Sequence, residues 1–125
     1  MSHPARISIG AGAIAGAVAV ALGAFGAHAL RGMLDVAALA TWHTAVDYQF
    51  WHALALVATG LLLQRRDDRA LEVAACAFAL GIVLFCVSLY ALALGAPRWV
   101  GAITPLGGVA FITGWLALAL HARRL

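Results

Sequence analysis

Nine residues set the chemistry open to this chain: His28, Arg31, Asp47, Tyr48, Gln49, His52, Ser88, Tyr90 and Thr104, each set in or beside a long apolar run. Histidine changes charge near neutral pH, and an ionisable group inside a membrane marks a solute or proton path by default. Tyr48 and His52 are four residues apart, so a helix puts them on one face, with Gln49 on the adjacent one. A simple network would set Arg31 against Asp47 or Asp35, His52 against Tyr90 or Ser88, and His28 against a backbone carbonyl. Nucleophilic chemistry has little support, because Ser88 lies in no Gly-x-Ser-x-Gly elbow. No His-x-x-x-His or Cys-x-x-Cys spacing points to a metal or haem, and no cofactor is expected. Cys76 and Cys86 are ten residues apart, about 15 Å along a helix. That is beyond disulfide reach, and they read as packing residues.

The elements that must position these residues follow from composition. The chain is 65% hydrophobic and 10% charged, with a mean hydropathy of +0.99, so it belongs in a bilayer. Four spans of about 20 residues fit within it and leave no room for a water-soluble catalytic domain. The expected fold is an all-α membrane protein, a four-transmembrane-helix bundle with a short amphipathic interfacial helix between spans 1 and 2. The spans cover about 7–30, 46–63, 73–94 and 104–121, and the interfacial helix about 35–46, all within one domain. Ala27-His28-Ala29 resembles a signal-peptide cleavage site, but the preceding apolar run is longer than such peptides carry.

Boundaries follow from caps and breakers. Asp35 is placed to cap a helix start, although no Gly or Pro between Met33 and Thr59 forces a break before the second span. The fourth span starts either at Val100, with a kink at Pro105, or at Pro105 itself with Thr104 as the cap. In the first span Gly12, Gly16, Ala19, Gly23 and Ala27 recur at three- and four-residue steps, a face for close helix packing within the bundle or against a second copy.

The eight basic residues are all arginine. Arg6, Arg65, Arg66, Arg69, Arg123 and Arg124 fall on one side of the four spans, Arg31 and Arg98 on the other. The positive-inside rule then puts both termini in the cytoplasm and the candidate polar residues in the outer part of the membrane. The basic pI reflects topology, not nucleic-acid binding. Expected partners are membrane lipids, a second copy or a larger membrane complex.

Several segments together resemble a known family: Gly23-Ala24-Phe25-Gly26-Ala27-His28-Ala29-Leu30, Thr44 to Leu56, Ser88-Leu89-Tyr90, Thr104-Pro105-Leu106-Gly107-Gly108 and Gly114-Trp115. This set is similar to the YgdD-like family, called domain of unknown function 423 and including the animal transmembrane protein 256 group. The resemblance implies a small four-span protein of the bacterial inner membrane or its mitochondrial counterpart, and it implies no reaction. Two positions depart from the expected pattern. Asp47 replaces a neutral or small residue, and Phe85-Cys86-Val87-Ser88 stands where Phe-Ser-Gly-Ser is expected, which should stiffen the third helix. Function is expected to be non-enzymatic, as an accessory subunit or envelope-integrity factor. The alternatives are a proton-coupled or small-solute transporter or channel using His28, Asp47, Tyr48 and His52, and more weakly a haem-binding redox subunit.

Overall fold

The computed structural model describes residues 3–125. Helix α1 spans His3–His28 and α2 spans Val36–Arg65. The third rod, Arg69–Ala93, consists of α3 (Arg69–Gly81), a π-helical segment (Ile82–Val87) and α4 (Ser88–Ala93). A 3-10 turn (Arg98–Ala102) leads into α5 (Thr104–Arg123). Four helices are long and apolar enough to cross a membrane, and the described residues include no strand.

Residues 35–46 do not form a separate interfacial helix. They are the opening turns of α2, capped as expected by Asp35, whose carboxylate accepts the Ala38 N–H at 2.8 Å. Thirty residues make about 45 Å of helix, against about 30 Å of hydrocarbon, so part of α2 extends beyond the core. Trp42 holds that part upright against the bundle instead of flat. It is buried, its indole N–H donates to the Leu22 carbonyl at 2.9 Å, and its ring sits in the notch left by Gly26. With no Gly or Pro before Thr59, the helix continues unbroken.

The fourth rod resolves the choice at its start. α5 begins at Thr104 with Pro105 in its first turn, where the missing N–H costs nothing. Thr104 is not the cap, however; its hydroxyl is engaged elsewhere. At the other loop end, Gly95 has φ +102°, a left-handed conformation that lets the chain leave α4 and turn.

Two tight helix pairs build the core. On α1 the small-residue face is used within the chain. A β-carbon at Gly12 would lie 2.9 Å from both the Ala53 carbonyl oxygen and the Val57 nitrogen of α2, while Gly16 faces Ala53 and Gly23 faces Val46. Ala27 is exposed and takes no part; Gly26 holds that step of the stripe. The second pair alternates aromatic rings and notches: Phe78 against Gly114, Phe111 against Gly81, and Phe85 against Gly107. Each step forward along the third rod moves the partner equally far back along α5, as antiparallel packing requires. Phe78 and Phe85 are seven apart, as are Gly107 and Gly114, the repeat that keeps one seam facing its neighbour. At Gly107 the backbones themselves meet, since a β-carbon there would fall 2.3 Å from the Phe85 nitrogen.

Candidate functional site

A polar layer is built from side chains of α2, the third rod and α5, with α1 contributing the Ala15 carbonyl; the buried Ser8, Thr59 and His121 make their hydrogen bonds elsewhere in the bundle. Gln49, buried on α2, uses both ends of its amide: Nε2 donates to the Ala15 carbonyl at 2.8 Å, and Oε1 accepts from the Tyr90 hydroxyl at 2.7 Å. Three rods are tied by this one side chain. Tyr90 also packs its ring at a tilt against Trp42, with centroids 4.7 Å apart and 58° between planes.

Ser88 follows directly on the π segment. Its backbone N–H and its Oγ both donate to the Phe85 carbonyl within that segment, the hydroxyl at 2.9 Å. Its hydrogen thus used, Ser88 accepts from Thr104 Oγ1 at 2.6 Å. This bond takes the hydroxyl expected to cap α5 and ties α5 to the third rod. Val87, one of the departures from the family pattern, points outward and is more than half exposed. Its added bulk lies outside this layer.

His52 is not bonded to Tyr90 or Ser88. Its Nδ1 lies 2.7 Å from the Tyr48 carbonyl and its Nε2 lies 3.1 Å from the Trp115 indole nitrogen. A carbonyl only accepts and an indole N–H only donates, so the ring is the neutral tautomer carrying its proton on Nδ1. The imidazole also stacks on Phe111 at a centroid distance of 3.6 Å and 12° between planes. Tyr48, Phe78 and Trp115 complete its surroundings. Beside it a groove of about 550 Å³ opens between α2 and α5, walled by Tyr48, Trp51, Phe85, Phe111 and Trp115. With both imidazole nitrogens occupied, this groove can hold apolar matter but offers no ring nitrogen to a metal or haem.

Gln49 and His52 reach partners, Ala15 and Trp115, near the middle of α1 and α5. His28, Arg31 and Asp47 do not join them. His28 ends α1, Arg31 lies in the following turn and Asp47 projects from α2, all three exposed. The ion pairs among the described residues do not involve Arg31 or either expected partner, and Asp35 serves as a helix cap. Of the nine candidates, six enter the layer and three stay outside it.

A second polar site occupies the end of the bundle that carries both termini. Asp68 caps α3 by accepting the Ala70 N–H at 2.9 Å. Its other oxygen lies 2.5 Å from Nδ1 of the buried His121, which must be the donor, and Arg124 reaches the carboxylate at 3.3 Å. His121 reads from sequence as an ordinary end residue. The available signal was the antiparallel step of the third rod and α5, which carried outward aligns Asp68 with the end of α5.

The hydrogen bond from His121, the Ala70 N–H and the nearby Arg124 guanidinium hold the Asp68 carboxyl below the ordinary aspartate range. A depressed native value stabilises the fold above the unfolded pKa, and that contribution disappears as pH falls through the native value. Thermal melts in detergent should therefore show Asp68→Asn melting below wild type at pH 7. The gap should close as pH drops below about 4, the ordinary aspartate value. An equal gap at pH 7 and pH 3 would show that the ionised carboxylate contributes nothing.

Comparison with known proteins agrees with this architecture. The family model described as "Protein of unknown function (DUF423)" matches residues 22–108, a stretch running from the end of α1 through the start of α5. The chain belongs to the DUF423 family. It is 42% identical over 118 residues to the UPF0382 membrane protein YwdK of Bacillus subtilis, covering 94% of this chain and 96% of that one. Against the UPF0382 membrane protein SSP2132 of Staphylococcus saprophyticus it is 44% identical over 115 residues, covering 92% and 95%. Against the UPF0382 inner membrane protein YgdD of Escherichia coli K12 it is 41% identical over 113 residues, covering 90% and 86%. No solved structure matches the chain. This is a four-span membrane protein of a family whose members' activity is unassigned.

Proposed function

We propose that this DUF423 protein works in the bacterial inner membrane as a non-enzymatic bundle, an accessory subunit or envelope-integrity factor, with both termini in the cytoplasm. Inner-membrane placement is supported by the name of the Escherichia coli relative. Orientation is supported by the six arginines at the terminal end against two at the other.

One observation carries the functional reading: the buried polar groups of the layer are already hydrogen-bonded, to one another or to backbone carbonyls. No buried side-chain nitrogen or oxygen among the described residues lacks a hydrogen-bond partner. A transport path needs groups that exchange partners with a passing solute, and a redox subunit needs a free ligand atom. Gln49 and His52 instead hold helices together through groups already engaged, while the exposed His28 and Asp47 lie apart from them. The layer therefore serves rigidity and specific helix pairing.

Purified protein in liposomes loaded with a pH-sensitive dye tests the reading. Proton flux at either membrane polarity should equal that of empty liposomes. Flux above that background that disappears in His52→Gln would replace the accessory role with a transport function.

A further inference from the structure

At the terminal end of the bundle a small groove of about 170 Å³ runs between the start of α3 and the end of α5. Ala70, Val73, Ala117 and Leu120 line its apolar depth, and Arg69 and Arg124 stand at its mouth. Arg69 is the first residue of the third rod, and Arg124 follows the last residue of α5. The apolar runs of the two helices begin within about a turn of them, past Glu72 on the third rod and before His121 on α5, which puts both guanidinium groups near the depth where hydrocarbon gives way to headgroups.

We infer that this groove is a binding site for an anionic phospholipid, its phosphate held between Arg69 and Arg124 and part of one acyl chain lying along Val73, Ala117 and Leu120. The inference goes beyond the accessory role and does not depend on it. Charge complementarity selects this occupant over a neutral lipid. Six arginines against Asp67, Asp68 and Glu72 leave this end of the chain positive. Basic pockets between membrane helices at headgroup depth recognise phosphate-bearing lipid heads, and the guanidinium fork suits a phosphate in two-point contact.

The negative charge nearest the mouth is already answered. Asp68 is turned to His121 and to the Ala70 N–H, and its contact with Arg124 tethers that side chain beside the groove while leaving it half exposed. Arg69 makes no ion pair among the described residues. Glu72 lines a neighbouring surface with Arg69 and not this groove.

Native mass spectrometry tests the assignment on the full chain in a neutral detergent with equal amounts of phosphatidylglycerol and phosphatidylcholine of identical acyl chains. Phosphatidylglycerol should be retained about 25-fold over phosphatidylcholine, with each arginine worth about fivefold. Arg69→Gln alone should remove most of the preference, and Arg69→Gln with Arg124→Gln should abolish it. Because Arg69 is exposed and outside the ion pairs, the single variant should melt like wild type in lipid-free detergent, which keeps the test independent of folding. Equal retention of both lipids would overturn the site, as would a preference that survives the double substitution. Displacement of the lipid by millimolar inorganic phosphate would reassign the arginines to a soluble anion.

Discussion

Gly107→Ala should be the most damaging single-methyl change in this protein, lowering stability by about 3 kcal/mol, the upper part of the usual range for overpacking. The added carbon would lie 2.3 Å from the Phe85 nitrogen and 2.7 Å from its α-carbon, and backbone cannot step aside as a side-chain tip can. The third rod is especially constrained there, because Phe85 sits within the π segment whose carbonyl is held by Ser88. Gly12→Ala should come next, since it meets the Ala53 carbonyl and the Val57 nitrogen. Gly81→Ala and Gly114→Ala should cost less, because their first contacts are the rings of Phe111 and Phe78. Gly10→Ala provides the control. It meets nothing within 4 Å and should be neutral or stabilising by up to about 1 kcal/mol, the helix preference for alanine over glycine. Unfolding by titration with a denaturing detergent measures all five. A Gly107→Ala protein as stable as Gly10→Ala would mean that the third rod and α5 do not approach as closely as this packing requires.

The contrast between Gly107 and Gly10 also separates what is legible in the sequence from what is not. Hydropathy gives the four rods directly, since long apolar runs interrupted by arginine clusters have no other stable arrangement. Asp35 and Pro105 mark helix starts because capping and the missing proline N–H act locally. Which helix a glycine faces is not local. The Phe78–Gly114 and Phe85–Gly107 notches could have been inferred from matching seven-residue spacings, but the π segment in which Phe85 sits has no reliable sequence signature. The site residues divide on the same principle. Gln49, His52, Ser88 and Tyr90 stand out as polar groups in apolar surroundings, and burial obliges them to find partners. The particular partners followed from geometry. Trp115 carries an indole N–H on an otherwise apolar body, so it is easily taken for an interface anchor. His28, Arg31 and Asp47 share the composition of the cluster but lie at a helix end, in a turn and on an outward face, and position along the chain alone could not exclude them.

His52→Ala should lower stability by about 3 kcal/mol, in the range found when a large buried side chain is truncated. Removing the imidazole ends the 3.6 Å stack on Phe111 and leaves the Trp115 N–H without an acceptor. His52→Phe separates these losses. It keeps a flat ring for Phe111 but cannot accept from the indole, so it should recover roughly half of the loss. Trp115→Phe removes the donor, and the double-mutant cycle with His52→Phe isolates the hydrogen bond, expected at about 0.6 kcal/mol from membrane-protein precedents. His28→Ala, at an exposed helix end, should stay within about 0.5 kcal/mol of wild type. That difference between two histidines is the sharpest discriminator between a structural layer and a proton path. Proton transfer along both would make each indispensable to activity and neither necessarily important to folding. A rigid layer makes His52 important to folding and leaves His28 without a role. If His52→Ala melts with wild type, the structural account of the layer fails and the paired nitrogens must be explained by a ligand that displaces one of their partners.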